Sequence, residues 1–327
     1  MTIQQPFLQG VIGPDPTDVR DRMLASLAPV LPSQDILTTL DFRANRAPVG
    51  KQNYGSCTVW GTGHQKEYLD GRQYGKPISL SKKFPYHNMK LLSGIWFTQG
   101  DFVRNAFRSL VKFGAPLLED YPDTPEKNWS EYAHKVPSAD IYQKALKYRL
   151  GSYWSVGRTL LDYLSAQQQY LAPVVSGMPW YESYNKPEPD GRLPLPSGKL
   201  LDGHCYASAG WTPGKAWFEN SYGDNWGKNG YFYVPFSDFS SYQIWDAWIG
   251  LDYVPPKPLE GWVADAYLRT VGFIEGQTVG TTDRLNLREK PLGSVIETLP
   301  KGQKLTILDE QVNAGSYHWV KVQIASD

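Results

Sequence analysis

Cysteine is scarce in this chain, with two among 327 residues, Cys57 and Cys205. That excludes a disulfide framework, and at most one bridge could form. So little cysteine fits a reducing compartment, although bacterial and phage proteins outside the cell often lack disulfides too. An excess of charge is also lacking, since 33 Lys and Arg balance 33 Asp and Glu. Without a basic field, neither nucleic acid nor an anionic membrane surface is expected as a partner. No run approaches the roughly 18 consecutive apolar residues of a membrane span. The opening MTIQQPFLQG has no basic stretch ahead of an apolar run, so no signal peptide is expected. That leaves the cytoplasm, a virion or release by lysis as settings. Repeats and low-complexity tracts are absent too.

What is present is ordinary globular composition, 41% hydrophobic and 20% charged, with many aromatics: 12 Trp and 21 Tyr. Packing accounts for most of these rings, and some could serve a peptide- or carbohydrate-binding surface. The length suggests about two domains. Residues 1–38, rich in Pro and Asp, read as an extension with a weakly helical patch at Met23–Leu31. Residues 39–254 form the main body. PPKPLEG, 255–261, reads as a stiff Pro-rich linker, and 262–327 as a second unit.

The first half of the body reads as helical. A helix is expected from Cys57 to Asp70 despite Gly61 and Gly63. Each interior glycine costs about 1 kcal/mol against Ala, so close packing must offset it. Residues 101–113 place Val103, Ala106, Phe107 and Leu110 at helical spacing, and Gly114 and Pro116 stop that helix. The second half reads as β, with strands expected over 146–156, 172–181, 204–211, 215–220 and 230–236, and one short helix near 158–168. A helical half followed by a β half implies an α+β body with a cleft between the halves. In the second unit HWVKVQI alternates cleanly: Val320, Val322 and Ile324 share one face, Lys321 and Gln323 the other. KLTILDE and SVIETL add strands to what reads as a small β-barrel or sandwich.

A lone cysteine is usually an inert buried residue. Cys57 differs in following the polar loop QNYGS and opening a helix, where the dipole favours thiolate. A neighbouring imidazolium would favour it further. Among five histidines, His64 sits two turns along the same helix and reads as packed or surface. His87, His134 and His318 carry no signal. His204 starts a β run at the rim of a sheet, after the long Pro/Gly-rich loop 185–199. Asn220 follows sixteen residues later. Two strands joined by a turn would bring it to the far side of the His204 ring, where it could fix the tautomer.

Gln52, GSC at 55–57, GH at 203–204 and ENSYGDNWGKNGYF at 219–232 follow one another in an order that resembles the papain-like cysteine peptidases. GPDPTDVRDR, 13–22, resembles the lead-in of prokaryotic members. The resemblance covers about residues 39–254 and implies a two-lobed fold. It makes Cys57 the nucleophile, His204 the acid/base, Asn220 its orienting partner and Gln52 an oxyanion-hole donor. It also gives Gly100 and Gly203 a part in substrate binding, and Tyr222 and Trp226 supporting places beside the His–Asn pair. No metal or organic cofactor is implied, and the expected partner is a protein or peptide substrate. A bridge between the two cysteines would consume the nucleophile, so both are expected free. Cys205 reads as a core residue facing away from His204.

The sequence departs from that pattern in four places. Gln52 and Cys57 are five positions apart where the family has six. Tyr54 stands for a structural cysteine and Thr58 for an aromatic. Tyr222 replaces the Trp that shields the His–Asn bond, while Trp226 matches the second family Trp. The 38-residue extension is shorter than the family's long inhibitory propeptides. A structural strap is its favoured reading, and a minimal cleft block the other. DRLNLREKP, SVIETLPKGQKLTIL and WVKV resemble bacterial SH3-like domains, which implies a possible cell-wall ligand.

Overall fold

The computed structural model describes residues 10–44, 46–252, 260–264, 278–282, 284–291, 293–314 and 317–324. Tertiary contacts divide the chain into units 1–253 and 254–327. Of the inferred linker 255–261, all but its last two residues lies outside the described residues.

In the first unit the helices are α1 (Cys57–Tyr74), α2 (Lys83–Ser93), α3 (Val103–Phe113), α4 (Trp129–His134), α5 (Ala139–Leu146) and α6 (Leu160–Tyr170). α3 follows its apolar spacing: Val103, Ala106, Phe107 and Leu110 are fully buried. Gly114, at φ +73°, ends it by donating to Leu110 O at 3.0 Å. α6 opens with a capping box between Thr159 and Asp162. The glycines of α1 are explained by packing. A Cβ at Gly61 would lie 2.8 Å from Cys205 Sγ and 3.1 Å from Val175 Cγ1, and one at Gly63 would lie 2.5 Å from Lys82 Cε.

The strands are β1 (Leu40–Asp41), β2 (Ser152–Ser155), β3 (Val175–Tyr181), β4 (Leu200–Thr212), β5 (Lys215–Glu219), β6 (Tyr231–Pro235) and β7 (Asp246–Leu251). They form one antiparallel sheet in the order β2-β7-β3-β4-β5-β6, with β1 added to β4. Its main core joins the sheet to α1, α3 and α6 through Phe107, Val175, Cys205, Phe218, Phe232 and their neighbours. A separate cluster of Val59, Trp60, Tyr86, Met89, Ala106, Tyr132 and Ala133 centres the helical lobe. The body is therefore α+β, as a helical half followed by a β half implied. The expected strand 146–156 is a strand only at Ser152–Ser155. Its start belongs to α5 and a turn at 147–148, after which Leu150 N–H donates to Leu110 O of α3 at 3.2 Å.

The extension makes one short 3-10 turn at Leu24–Ser26 where a longer helical patch is expected, and another at Ser33–Asp35. It lies along α6: Leu31 N–H donates to Ser165 Oγ at 2.8 Å and Leu37 N–H to Gln168 Oε1 at 2.7 Å.

The second unit is all β. Its strands are β8 (Glu260–Ala264), β9 (Thr278–Gly280), β10 (Leu285–Arg288), β11 (Val295–Leu299), β12 (Lys304–Ala314) and β13 (Tyr317–Ile324), ordered β11-β10-β8-β13-β12-β9. Alternation sets its core: Val320 and Val322 are buried beside Leu287, Leu305 and Ile307, while Lys321 and Gln323 are half-exposed. The Ile324 side chain lies outside the described residues.

Candidate active site

Two chain segments far apart in sequence are joined here. Gln52 N–H donates to Ser221 O at 2.9 Å and Gly223 N–H to Gly50 O at 3.0 Å, which ties the loop before α1 to the loop after β5. Ser221 Oγ donates to Gln52 Oε1 at 2.5 Å, and Gln52 Nε2 donates to Tyr54 O at 2.9 Å. The amide orientation of Gln52 is thereby fixed, with its N–H groups on the side of the loop that leads to Cys57. Cys57 is the first residue of α1, as its sequence context predicts, and is fully buried.

His204 and Asn220 meet as the strand argument requires. β4 and β5 pair antiparallel, with Ala207 opposite Glu219, so Asn220 follows directly beside the start of the buried run of β4. His204 Nε2 lies 2.7 Å from Asn220 Oδ1, which also accepts Ser221 N–H at 2.7 Å. Tyr222 Oη lies 3.4 Å from His204 Nδ1, and the two rings are 4.8 Å apart. Trp226 packs on Tyr222 at 5.5 Å. Trp180, unmarked in the sequence, packs at a tilt against the imidazole, with ring centroids 4.5 Å apart, and against Trp226 at 6.2 Å. Its only advance signal is its place on β3, two residues from Met178, which pairs with His204 across the sheet. Cys205 lies against the Gly61 position of α1, as alternation predicts, and both cysteines are free. His64 is buried beside Glu219, with Nδ1 3.4 Å from Oε1, away from the His204–Asn220 pair's hydrogen bonds.

The chain, set against solved structures, is similar to xylellain, a cysteine protease from Xylella fastidiosa. The identity is 25%, covering 77% of this chain and 99% of that one, with a TM-score of 0.64. Digestive procathepsin L 3 of Tenebrio molitor larval midgut is 17% identical over 71% of this chain and 76% of its own, with a TM-score of 0.55. A cysteine protease of Carica candamarcensis, in complex with E-64, is 20% identical over 66% and 99%, with a TM-score of 0.50. The main unit has the papain-like fold. Residues 283–327 match the family model of the bacterial SH3 domain. Among curated proteins, none matches the chain in sequence.

Gly100 and Gly203, expected to take part in substrate binding, both lie against residues 10–12 of the chain's own N-terminal extension. Gly10 and Val11 N–H groups both donate to Gly203 O, at 3.1 and 2.9 Å. On the other side Asp101 N–H donates to Gly10 O at 2.9 Å, and Ile12 N–H to Asp101 O at 3.4 Å. A Cβ at Gly100 would lie 2.9 Å from Gly10 O, and one at Gly203 would lie 2.9 Å from Val11 Cβ, so both rims need glycine for this approach. Buried Asp101, a residue without a signal in the sequence, makes the Gly100 rim rigid. Its carboxylate accepts from Ser93 Oγ at 2.7 Å, from Asn105 Nδ2 at 2.8 Å and from its neighbour Phe102 N–H at 2.8 Å, with Lys90 Nζ at 3.7 Å.

Cys57 and His204 are each fully buried, and their electrostatics follow from that. Burial pushes the Cys57 thiol up to about 12, with N–H groups of Cys205, Gly10 and Thr58 pulling the other way. Burial pushes His204 down to about 4 against the favourable bond to Asn220. Burial therefore favours the thiol of Cys57 and the neutral imidazole of His204.

Proposed function

We propose that the chain is a cysteine peptidase whose nucleophile is Cys57, with His204 as acid/base, Asn220 orienting His204, and Gln52 completing an oxyanion hole with the Cys57 N–H. The 2.7 Å bond from His204 Nε2 to Asn220 Oδ1 is the observation that carries this reading, because it orients the ring and assigns proton transfer to Nδ1, which Tyr222 Oη approaches to 3.4 Å. Cys57 attacks the carbonyl carbon of a peptide bond, and His204 protonates the leaving amine. Water then hydrolyses the thioester with His204 as base. Tyr222, Trp180 and Trp226 box the imidazole and keep bulk water from the His–Asn bond. The likeness to cysteine proteases supports peptide hydrolysis in general.

A second reading, cleavage of peptidoglycan peptides in the manner of a phage lysin, is favoured by the SH3 match at 283–327, with that domain as a wall anchor. A binding protein on an inactive peptidase fold is disfavoured by the intact Cys57, His204 and Asn220. Cys57→Ala is expected to abolish hydrolysis and labelling by a thiol-directed epoxide, whereas Cys205→Ser leaves both largely intact. Label on Cys205 would contradict the assignment. Clearing of bacterial walls, assayed beside casein degradation, separates the two substrate classes.

A further inference from the structure

The rim that carries Gly100 is held from beneath by a buried cation of the chain itself. Lys90, in the last turn of α2, is fully buried. Its Nζ donates to Thr98 O at 2.9 Å and to Gly100 O, and Asp101 Oδ2 lies 3.7 Å away. Between those two carbonyls, Gln99 O accepts from Tyr86 Oη of the same helix at 2.5 Å. Three successive carbonyls therefore turn to one side. In an extended strand they would alternate, and the chain accordingly bends at 97–99. Phe97 does not anchor this bend, because it is 85% exposed.

A buried ammonium is costly unless its donors are used. An aliphatic side chain would fill the same space without that cost, but it would offer Thr98 O and Gly100 O no donor. A lysine is a point charge with three N–H groups on a flexible stem, which suits it to gathering main-chain oxygens. The loop before Cys57 has a separate tie. Gly55 N–H donates to Gln99 Oε1 at 2.8 Å, while Tyr86, which holds Gln99 O, accepts from Trp129 Nε1 at 2.6 Å. Gln99 thus keeps its hold on the nucleophile loop through Tyr86, whereas Gly100 depends on Lys90. Resting on the peptidase reading, we propose that Lys90 is a positioning residue for substrate, its ammonium fixing the rim at the place where Gly100 meets a peptide.

The charge can be removed by pH. Burial pulls the Lys90 ammonium down to about 8, against the attraction of Asp101. Asp101 and the Tyr86 ring, 5.6 Å from Nζ, face it, and Cys57 of α1 stands beyond Tyr86. Burial keeps the Tyr86 phenol protonated. The charge-assisted bonds to the rim are therefore complete below pH of about 8 and are lost as pH rises through it.

The test reads binding and turnover apart, with one casein-derived peptide as probe. Its affinity for Cys57→Ala protein is followed by fluorescence anisotropy from pH 7 to pH 9.5, beside the Lys90 side-chain carbon resonance. Its KM and kcat are measured on the parent and on Lys90→Met. Affinity is expected to fall about fivefold across that range, with the midpoint of the Lys90 resonance. Lys90→Met is expected to raise KM about tenfold at pH 7, to hold kcat within about threefold and to abolish the pH dependence of affinity. Affinity that stays flat with pH, a midpoint unlike that of Lys90, or a fall in kcat with KM unchanged would overturn the positioning role. Should Lys90→Met fail to fold, the titration of the Cys57→Ala protein decides alone. The expected pH dependence of binding without turnover by the parent would support the role of Lys90 and count against the peptidase reading, and a peptide that binds at no pH would overturn both.

Discussion

At the scale of single residues, Asp15 carries the clearest dependence on pH. Burial, and next the Asp246 carboxylate, raise its pKa from 3.8 to about 7, against opposing bonds from Trp248 and Arg104. A carboxyl raised on folding stabilises the folded state fully below its unfolded value. That contribution is lost as pH climbs through the folded value. The groups facing Asp15 are Asp246 and Trp248 of β7 and Arg104 of α3, with Asp18, Asp21 and Arg158 around an adjoining groove of about 660 Å³. Asp15→Asn keeps an oxygen for Trp248 and removes the charge. It is expected to raise the melting temperature relative to the parent at pH 8 and to lose that advantage at pH 4. An equal difference at both pH values would show that the carboxylate charge is not what strains the fold. Gln52→Ala tests another single group: loss of an oxyanion donor is expected to lower kcat by about 10²–10³-fold with little change in KM.

The place of Cys57 at the start of a helix and the meeting of His204 with Asn220 were legible in the sequence, because a polar loop before a helix and two strands joined by a turn are local features. Gln52 came only with the family resemblance. Trp180 and Asp101 were not legible, because their places follow from strand register and from long-range contacts that the residues around them do not show.

At the scale of elements, the packing of α1 on β4 offers a direct check. Gly61→Ala would gain about 1 kcal/mol of helix propensity, but its methyl would meet Cys205 Sγ at 2.8 Å. Overpacking of that kind typically costs about 1–3 kcal/mol. Gly61→Ala is therefore expected to destabilise the protein, and Cys205→Ala in the same chain to recover part of the loss. Urea unfolding of the two single variants and the double variant measures the coupling, and strictly additive effects would show that the contact is not the reason for glycine. The helix α3 could be read from its apolar spacing alone. α2 could not, because Lys83 and Lys90 are buried on it as partners of Glu126 and Asp101, and buried cations break the apolar period. For the extension, the favoured reading as a structural strap describes residues 24–37 along α6. Residues 10–12 instead bond to Gly203 and Asp101, and their short run of main-chain bonds leaves no periodic signature in the sequence.

At the scale of the whole molecule, two units with separate cores suggest separate tasks. Every group in the proposed chemistry lies at or before Asn220. Truncation after Tyr253 is accordingly expected to leave turnover of a small fluorogenic peptide within about tenfold and to weaken action on insoluble wall material, where a remote binding module adds effective concentration. Loss of small-peptide turnover in a folded fragment would show that the second unit helps to build the active site. Among the described residues no helix is long and apolar enough to cross a membrane.

The central claim is that one thiol, Cys57, performs the chemistry. Titration of the protein with a thiol-directed epoxide, with residual peptide turnover and the site of the adduct read at each addition, tests it most directly. Turnover is predicted to fall linearly to zero at one equivalent of label, all of it on Cys57. Turnover that survives full labelling of Cys57, or that disappears as label collects on Cys205, would contradict the account.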